Sequence, residues 1–279
     1  MTIRRSIFLG IALLVGAAGS AGAADMYDGG SLKDGPYMMP EMARWYLRGD
    51  VGYATHRDSD MRELDFNGFS QPLTDTSIDE AWTIGGGIGV YFSHALRGDV
   101  TIDHRADAGV EAYKPAGDLN NGNREFDVDS TVVLANLYYD IDMRSGFTPY
   151  LGFGLGWASN RANEGAGDGW WGATAGGCGC GADLYPVVIE SNTTSNFAWA
   201  LMAGFTVDLG GHRGGGLKDV QDISSGLKLD FGYRYLDMGE VHTGEVVMQN
   251  PNGTQTSGDP IIDDYAAHEF RVGLRYDIY

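Results

Sequence analysis

Charged residues spaced two or four apart are the first feature of this 279-residue chain that could do chemistry. Arg48 and Asp50 form one such set, and Asp99, Asp103 and Arg105 a second. Lys228, Asp230 and Arg234 form a third, and Glu269, Arg271 and Arg275 a fourth. The positions of opposite parity are mainly apolar, so each set lies on one face of a strand. Brought together, such faces either neutralise one another through arginine–carboxylate pairs or line a charged passage for small solutes.

Other chemistry-bearing residues give weaker signals. The histidines (His56, His94, His104, His212, His242 and His268) have no i, i+4 spacing and no HExxH. No metal centre or cofactor is therefore expected from motifs. Cys178 and Cys180 are too few for a disulfide framework. A bridge across one intervening residue would be strained, so metal capture and two free thiols stay open. Glu63, Asp65, Asn67 and Gly68 match positions 1, 3, 5 and 6 of a calcium loop, but the twelfth position is Thr74. A polar turn is the expectation there. The acidic residues Asp58, Asp60, Glu63, Asp65, Asp75, Asp79, Asp259, Asp263 and Asp264 are expected near the outer surface, where divalent cations could bridge them to an anionic leaflet. His242 and Ser257 share one connection and His268 starts a neighbouring strand, yet nothing specifies a hydrolytic triad. No catalytic residue is assigned, and the chain reads as a non-enzyme.

Composition limits what elements can position these groups. The chain carries 43 glycines, and 38 acidic residues against 19 basic ones. A net charge of −19 argues against any nucleic-acid partner. Glycine this frequent breaks helices. Residues 1–24 read as an export signal, with Arg4 and Arg5 before an apolar run and small residues at 21–24. Its removal leaves 17 basic and 38 acidic residues, a charge of −21. Residues 25–42 carry Gly and Pro without a period and read as an irregular periplasmic leader.

From residue 43 the period of two takes over. Eight alternating runs fall near 44–53, 81–92, 96–105, 130–141, 151–157, 197–209, 227–235 and 270–278. Each approaches the length that a tilted strand needs to cross a hydrocarbon core. A soluble sandwich and a membrane barrel could both use them. Three features favour an all-β, eight-stranded antiparallel up-and-down transmembrane barrel over 43–279. Long connections near 55–79, 106–129, 159–195 and 239–264 alternate with short ones near 93–95 and 142–147, the 210–225 connection being the misfit. Aromatic residues gather at strand ends. Trp45, Tyr91, Phe92, Tyr138, Tyr139, Phe147, Tyr150, Tyr276 and Tyr279 are expected near the periplasmic rim, and Tyr53, Trp82, Trp157, Phe197, Trp199, Tyr235 and Phe270 near the outer one. Glycine on the charged face makes room for long side chains. Eight strands leave an interior just wide enough to be filled, which favours a paired charge network over an open pore.

The segments "WYLRGDVGY", "LANLYYDI", "FTPYLGFGLGWA", "FAWALMAGFTVDL" and "LKLDFGYRYLDMG" resemble the small outer-membrane barrels of alphaproteobacteria. These are the opacity-like surface antigens, also described as porins, of rhizobia and brucellae, akin to the OmpA transmembrane domain. The resemblance covers about residues 43–279, with the loops unmatched. It implies an eight-stranded barrel in the outer membrane, made without a periplasmic peptidoglycan-binding domain. The ending "RVGLRYDIY", with Gly273, Tyr276, Ile278 and Tyr279, is similar to the signal read by barrel-assembly machinery, which pairs with an exposed strand edge. Expected partners are that machinery, outer-membrane lipid and lipopolysaccharide, and a host or surface ligand at the loops. The expected role is envelope support and loop presentation. A narrow porin and a lipid A-modifying enzyme are the alternatives.

Overall fold

The computed structural model describes residues 44–56, 59–64, 69–115, 122–141, 143, 146–171, 183–209, 226–250 and 253–278. The expected export signal, the leader, Cys178, Cys180, the 210–225 connection and Tyr279 lie outside them. Eight strands form the framework. They are β1 (Trp45–His56), β2 (Ala81–Tyr91), β3 (Leu96–Lys114) and β4 (Gly122–Asp140). After them come β5 (Phe147–Ala162), β6 (Asn192–Asp208), β7 (Leu227–Asp237) and β8 (Ala266–Ile278). Each pairs antiparallel with its neighbour in sequence. The sheet then closes, because β8 also pairs with β1 from Trp45↔Ile278 to His56↔Ala267.

Closure satisfies every strand edge internally, the condition for backbone in hydrocarbon. Apolar side chains turn outward: Leu47 and Val51 on β1, Ile84 and Ile88 on β2, Val100 and Ile102 on β3, and Leu274 and Ile278 on β8 are all exposed. Trp82 is 71 % exposed and Trp157 66 %, which only a non-aqueous surrounding explains. One ring of aromatics lies where the apolar band ends towards the long connections, with Tyr53 edge-on to Trp82 at 5.3 Å. At the other rim Trp45, Phe92, Tyr139, Phe147 and Tyr276 are exposed as expected, but three of the expected tyrosines turn inward. Tyr138 and Tyr150 are buried inside, edge to face at 5.6 Å. Tyr91 donates to the interior carboxylate Asp277 at 3.0 Å. Their parity puts them on the charged face, and Tyr139, one residue on from Tyr138, is the exposed ring.

Strands β3 and β4 run 19 residues each, well beyond a hydrocarbon core. The stretch read as a connection at 106–129 is therefore largely a continued ladder, Ala108↔Val128 to Lys114↔Gly122. A register shift between Arg105 and Ala108 marks where the ladder changes character. Asp107 takes a φ of 54° there, and its N–H donates to Asp129 at 3.0 Å. The wall widens with Thr74–Ile78 on β3 and Gly165–Trp171 on β4, continued by Asp183–Ile189, Val246–Asn250 and Gly253–Ser257. A second sheet joins Val241–His242, Pro260–Ile262, Met61–Leu64 and Ser70–Pro72. These segments bury an apolar core that includes Met61, Val110, Phe126, Val187, Met248 and Ile262. Burial also pushes the Tyr265 phenol pKa up, keeping that ring neutral in the same core. The connections thus build a packed head on one end of the barrel.

Candidate functional site

The charged faces of the strands converge in the barrel lumen. Arg48 on β1 grips Asp50 with two bonds of 2.9 and 2.7 Å and reaches Asp99 on β3 at 3.0 Å and the Tyr138 hydroxyl at 2.9 Å. Arg271 on β8 bonds to Asp103 and approaches Asp50 at 3.5 Å, linking this group to the next. Arg234 on β7 donates to Asp103 at 2.7 Å and to Glu269, and Arg105 pairs with Glu269 from the other side. Nearer the end of β8, Arg275 donates to Thr206 at 3.0 Å and lies 3.6 Å from Asp230. Lys228 pairs with Asp277 at 2.7 Å.

Every charge selected from the alternation therefore faces the lumen and has an opposite charge within reach. The selection was incomplete. Arg97 pairs with Asp140 at 3.0 Å, and its guanidinium lies over the Tyr138 ring at 4.0 Å. The same alternation contains Arg97, Asp140 and Asp277, so the signal was present. Counting them, seven carboxylates meet six arginines and Lys228 in the lumen. The lumen is electrically balanced inside a strongly acidic chain.

Glycine makes this packing possible. A Cβ at Gly85 would overlap the Asp103 carboxylate, and one at Gly273 would overlap Asp50. Gly273 thus has a packing role inside the barrel, whereas Tyr276 and Ile278 of the same strand face outward. Between Arg48, Asp50, Asp230, Arg234 and Arg271 a cavity of about 20 Å³ remains, room for about one water.

The head holds a second charge cluster that the sequence reading missed. Glu63 is fully buried and accepts from Lys114 at 2.9 Å, Arg124 at 2.9 Å and Ser257 at 3.0 Å. It joins four segments and is committed to those contacts, which corrects its expected place in a polar turn near the outer surface; Asp65, Asn67 and Gly68 lie outside the described residues. Ser257 donates to Glu63, whereas the His242 ring contacts Asp259 at 2.9 Å and Glu240 at 3.3 Å. The two residues that a hydrolytic site would need go to different partners. Among the described residues no cluster of three or more metal-ligating side chains occurs.

The chain matches the family model described as outer membrane protein beta-barrel domain over residues 11–277. It is 28 % identical to an uncharacterized protein of Brucella abortus over 95 % of both chains, and equally so to one of Brucella suis. Among solved structures it is similar to the outer membrane protein OprG from Pseudomonas aeruginosa, with a TM-score of 0.48, 13 % identity, and 85 % of this chain and 96 % of the other covered. Neisserial surface protein A gives 0.42 and 15 %, covering 84 % and 97 %. A closed cylinder with lipid-facing apolar residues and a balanced charged lumen agrees with the family match, and the chain belongs to the outer membrane protein beta-barrel family of the bacterial outer membrane.

Proposed function

We propose that this protein is a non-enzymatic barrel that stabilises the outer membrane and carries a rigid head on its outer surface. The observation that carries this reading is the lumen. Paired basic groups and carboxylates from five of the eight strands (β1, β3, β4, β7 and β8) fill it, with Tyr91, Tyr150 and Thr206 added from β2, β5 and β6, and the cavity among Arg48, Asp50, Asp230, Arg234 and Arg271 is about 20 Å³. A hydrated ion would have to break several buried pairs to pass, each costing about 3–5 kcal/mol when one partner is lost. In this reading the head lies outside the cell, because outer-membrane barrels place their long connections there. It presents a folded surface to ligands, and the last strand, with Tyr276 and Ile278 outward, is the segment that assembly machinery engages.

Planar-bilayer recording on the purified full chain tests the reading. Silence at moderate voltage is the expected result, and steady single-channel steps would convert it into a narrow porin.

A further inference from the structure

The outward wall is not uniform around the barrel. Across β6, β7 and β8 a groove of about 370 Å³ opens among Ala203, Phe205, Phe231, Tyr233, Phe270 and Val272. It exists because Ala203 stands opposite Tyr233, while the next rung pairs Phe205 with Phe231. Those two phenyl rings stack at 5.1 Å, and the Tyr233 and Phe270 rings lie 5.8 Å apart. A methyl group among four rings leaves a notch at hydrocarbon level.

Towards the head the groove meets a shelf of rings. Tyr235 lies 5.4 Å from Trp199 and 5.3 Å from the His268 imidazole, its plane inclined by 53° to the one and 58° to the other. The Tyr233 hydroxyl is bonded to His268 Nδ1 at 2.6 Å. The other ring nitrogen, Nε2, has no partner among the described residues. Apolar space for a chain, flat ring faces and one polar nitrogen thus follow one another from hydrocarbon to head-group level.

We propose that this sector is a binding site for one sugar-headed acyl lipid of the outer leaflet, lipid A. One acyl chain lies in the Ala203 groove. The sugar stacks its C–H face on one ring of the inclined Trp199–Tyr235 pair and rests its edge against the other, and a hydroxyl or phosphate oxygen meets His268 Nε2. Position limits the occupant, since the groove opens within the apolar band and only lipid reaches it. The ring shelf then selects the head, because rings that are apolar on the face and polar at the edge suit a sugar, and a glycerol head offers no flat face. The site rests on the orientation proposed above, with the head outside.

Native mass spectrometry of the delipidated full chain in detergent tests this, with purified lipid A and phosphatidylethanolamine as separate probes. One lipid A per barrel is expected, with phosphatidylethanolamine at least tenfold weaker. Ala203→Phe, which fills the groove, and His268→Phe, which keeps a ring but removes the nitrogen, should each weaken lipid A about tenfold. Heat-modifiable gel mobility reports whether each variant is folded, and His268→Phe carries the test if Ala203→Phe is not. Unchanged lipid A binding in a folded variant, or equal binding of both lipids, overturns the proposal. Conductance of the same samples reads the lumen separately, so failure of this site and failure of the plugged-barrel reading appear in different measurements.

Discussion

At the scale of single residues, Glu269 shows how tightly the lumen is coupled. It sits between Arg105 and Arg234, and Arg234 shares Asp103 with Arg271. Glu269→Ala would leave two buried guanidinium groups short of a counter-charge, at a cost of about 3–5 kcal/mol. The temperature at which the folded gel band converts to the unfolded one should fall clearly. Arg62→Ala provides the contrast. Its bond to Asp263 at 2.7 Å raises the arginine pKa, but both groups are about a third exposed. Removing such a surface pair should cost about 1 kcal/mol or less. Glu269 and its partners were legible from parity because each lies on a straight strand. Glu63, Lys114 and Arg124 were not, since they meet only after connections of irregular length fold back.

At the scale of elements, β3 carries two environments in one strand. Up to Arg105 the odd positions face the lumen and the even ones face lipid; after the bulge the parity reverses, and Ala108, Val110, Ala112 and Lys114 point inward. One inserted residue exchanges the faces of all that follow. Val100→Arg puts a charge on the lipid face and should cost about 2–4 kcal/mol near the bilayer midplane. Glu111→Arg, on the exposed face beyond the bulge, should leave folding into lipid vesicles nearly unchanged. Comparable costs for the two would mean that the hydrocarbon band extends past the bulge. The bulge also explains why 106–129 read as a loop. Without a parity change, Asp107 and Glu111 would face inward, and the pattern of a half-buried strand disappears.

At the scale of the whole molecule, the barrel and its head solve opposite problems with one continuous sheet. Within the bilayer the solvent is apolar, so polar groups pair in the middle. Beyond it the surround is water, and Phe126 with Val110 and Val128 forms an ordinary apolar interior. Phe126→Ala should therefore cost about 3–5 kcal/mol within the head. Limited proteolysis should cut the head faster while heat-modifiable migration of the barrel persists; loss of both together would mean that the two parts unfold as one. The sequence by itself determined the eight strands, their inward and outward faces and the charges of the lumen, because each depends on a period of two along a single segment. Only the tertiary structure decided which carboxylate meets which arginine, that Glu63 clasps the head, and that an alanine among rings opens a groove to lipid. Those depend on register and bulges between strands far apart in the chain, and no local pattern records them.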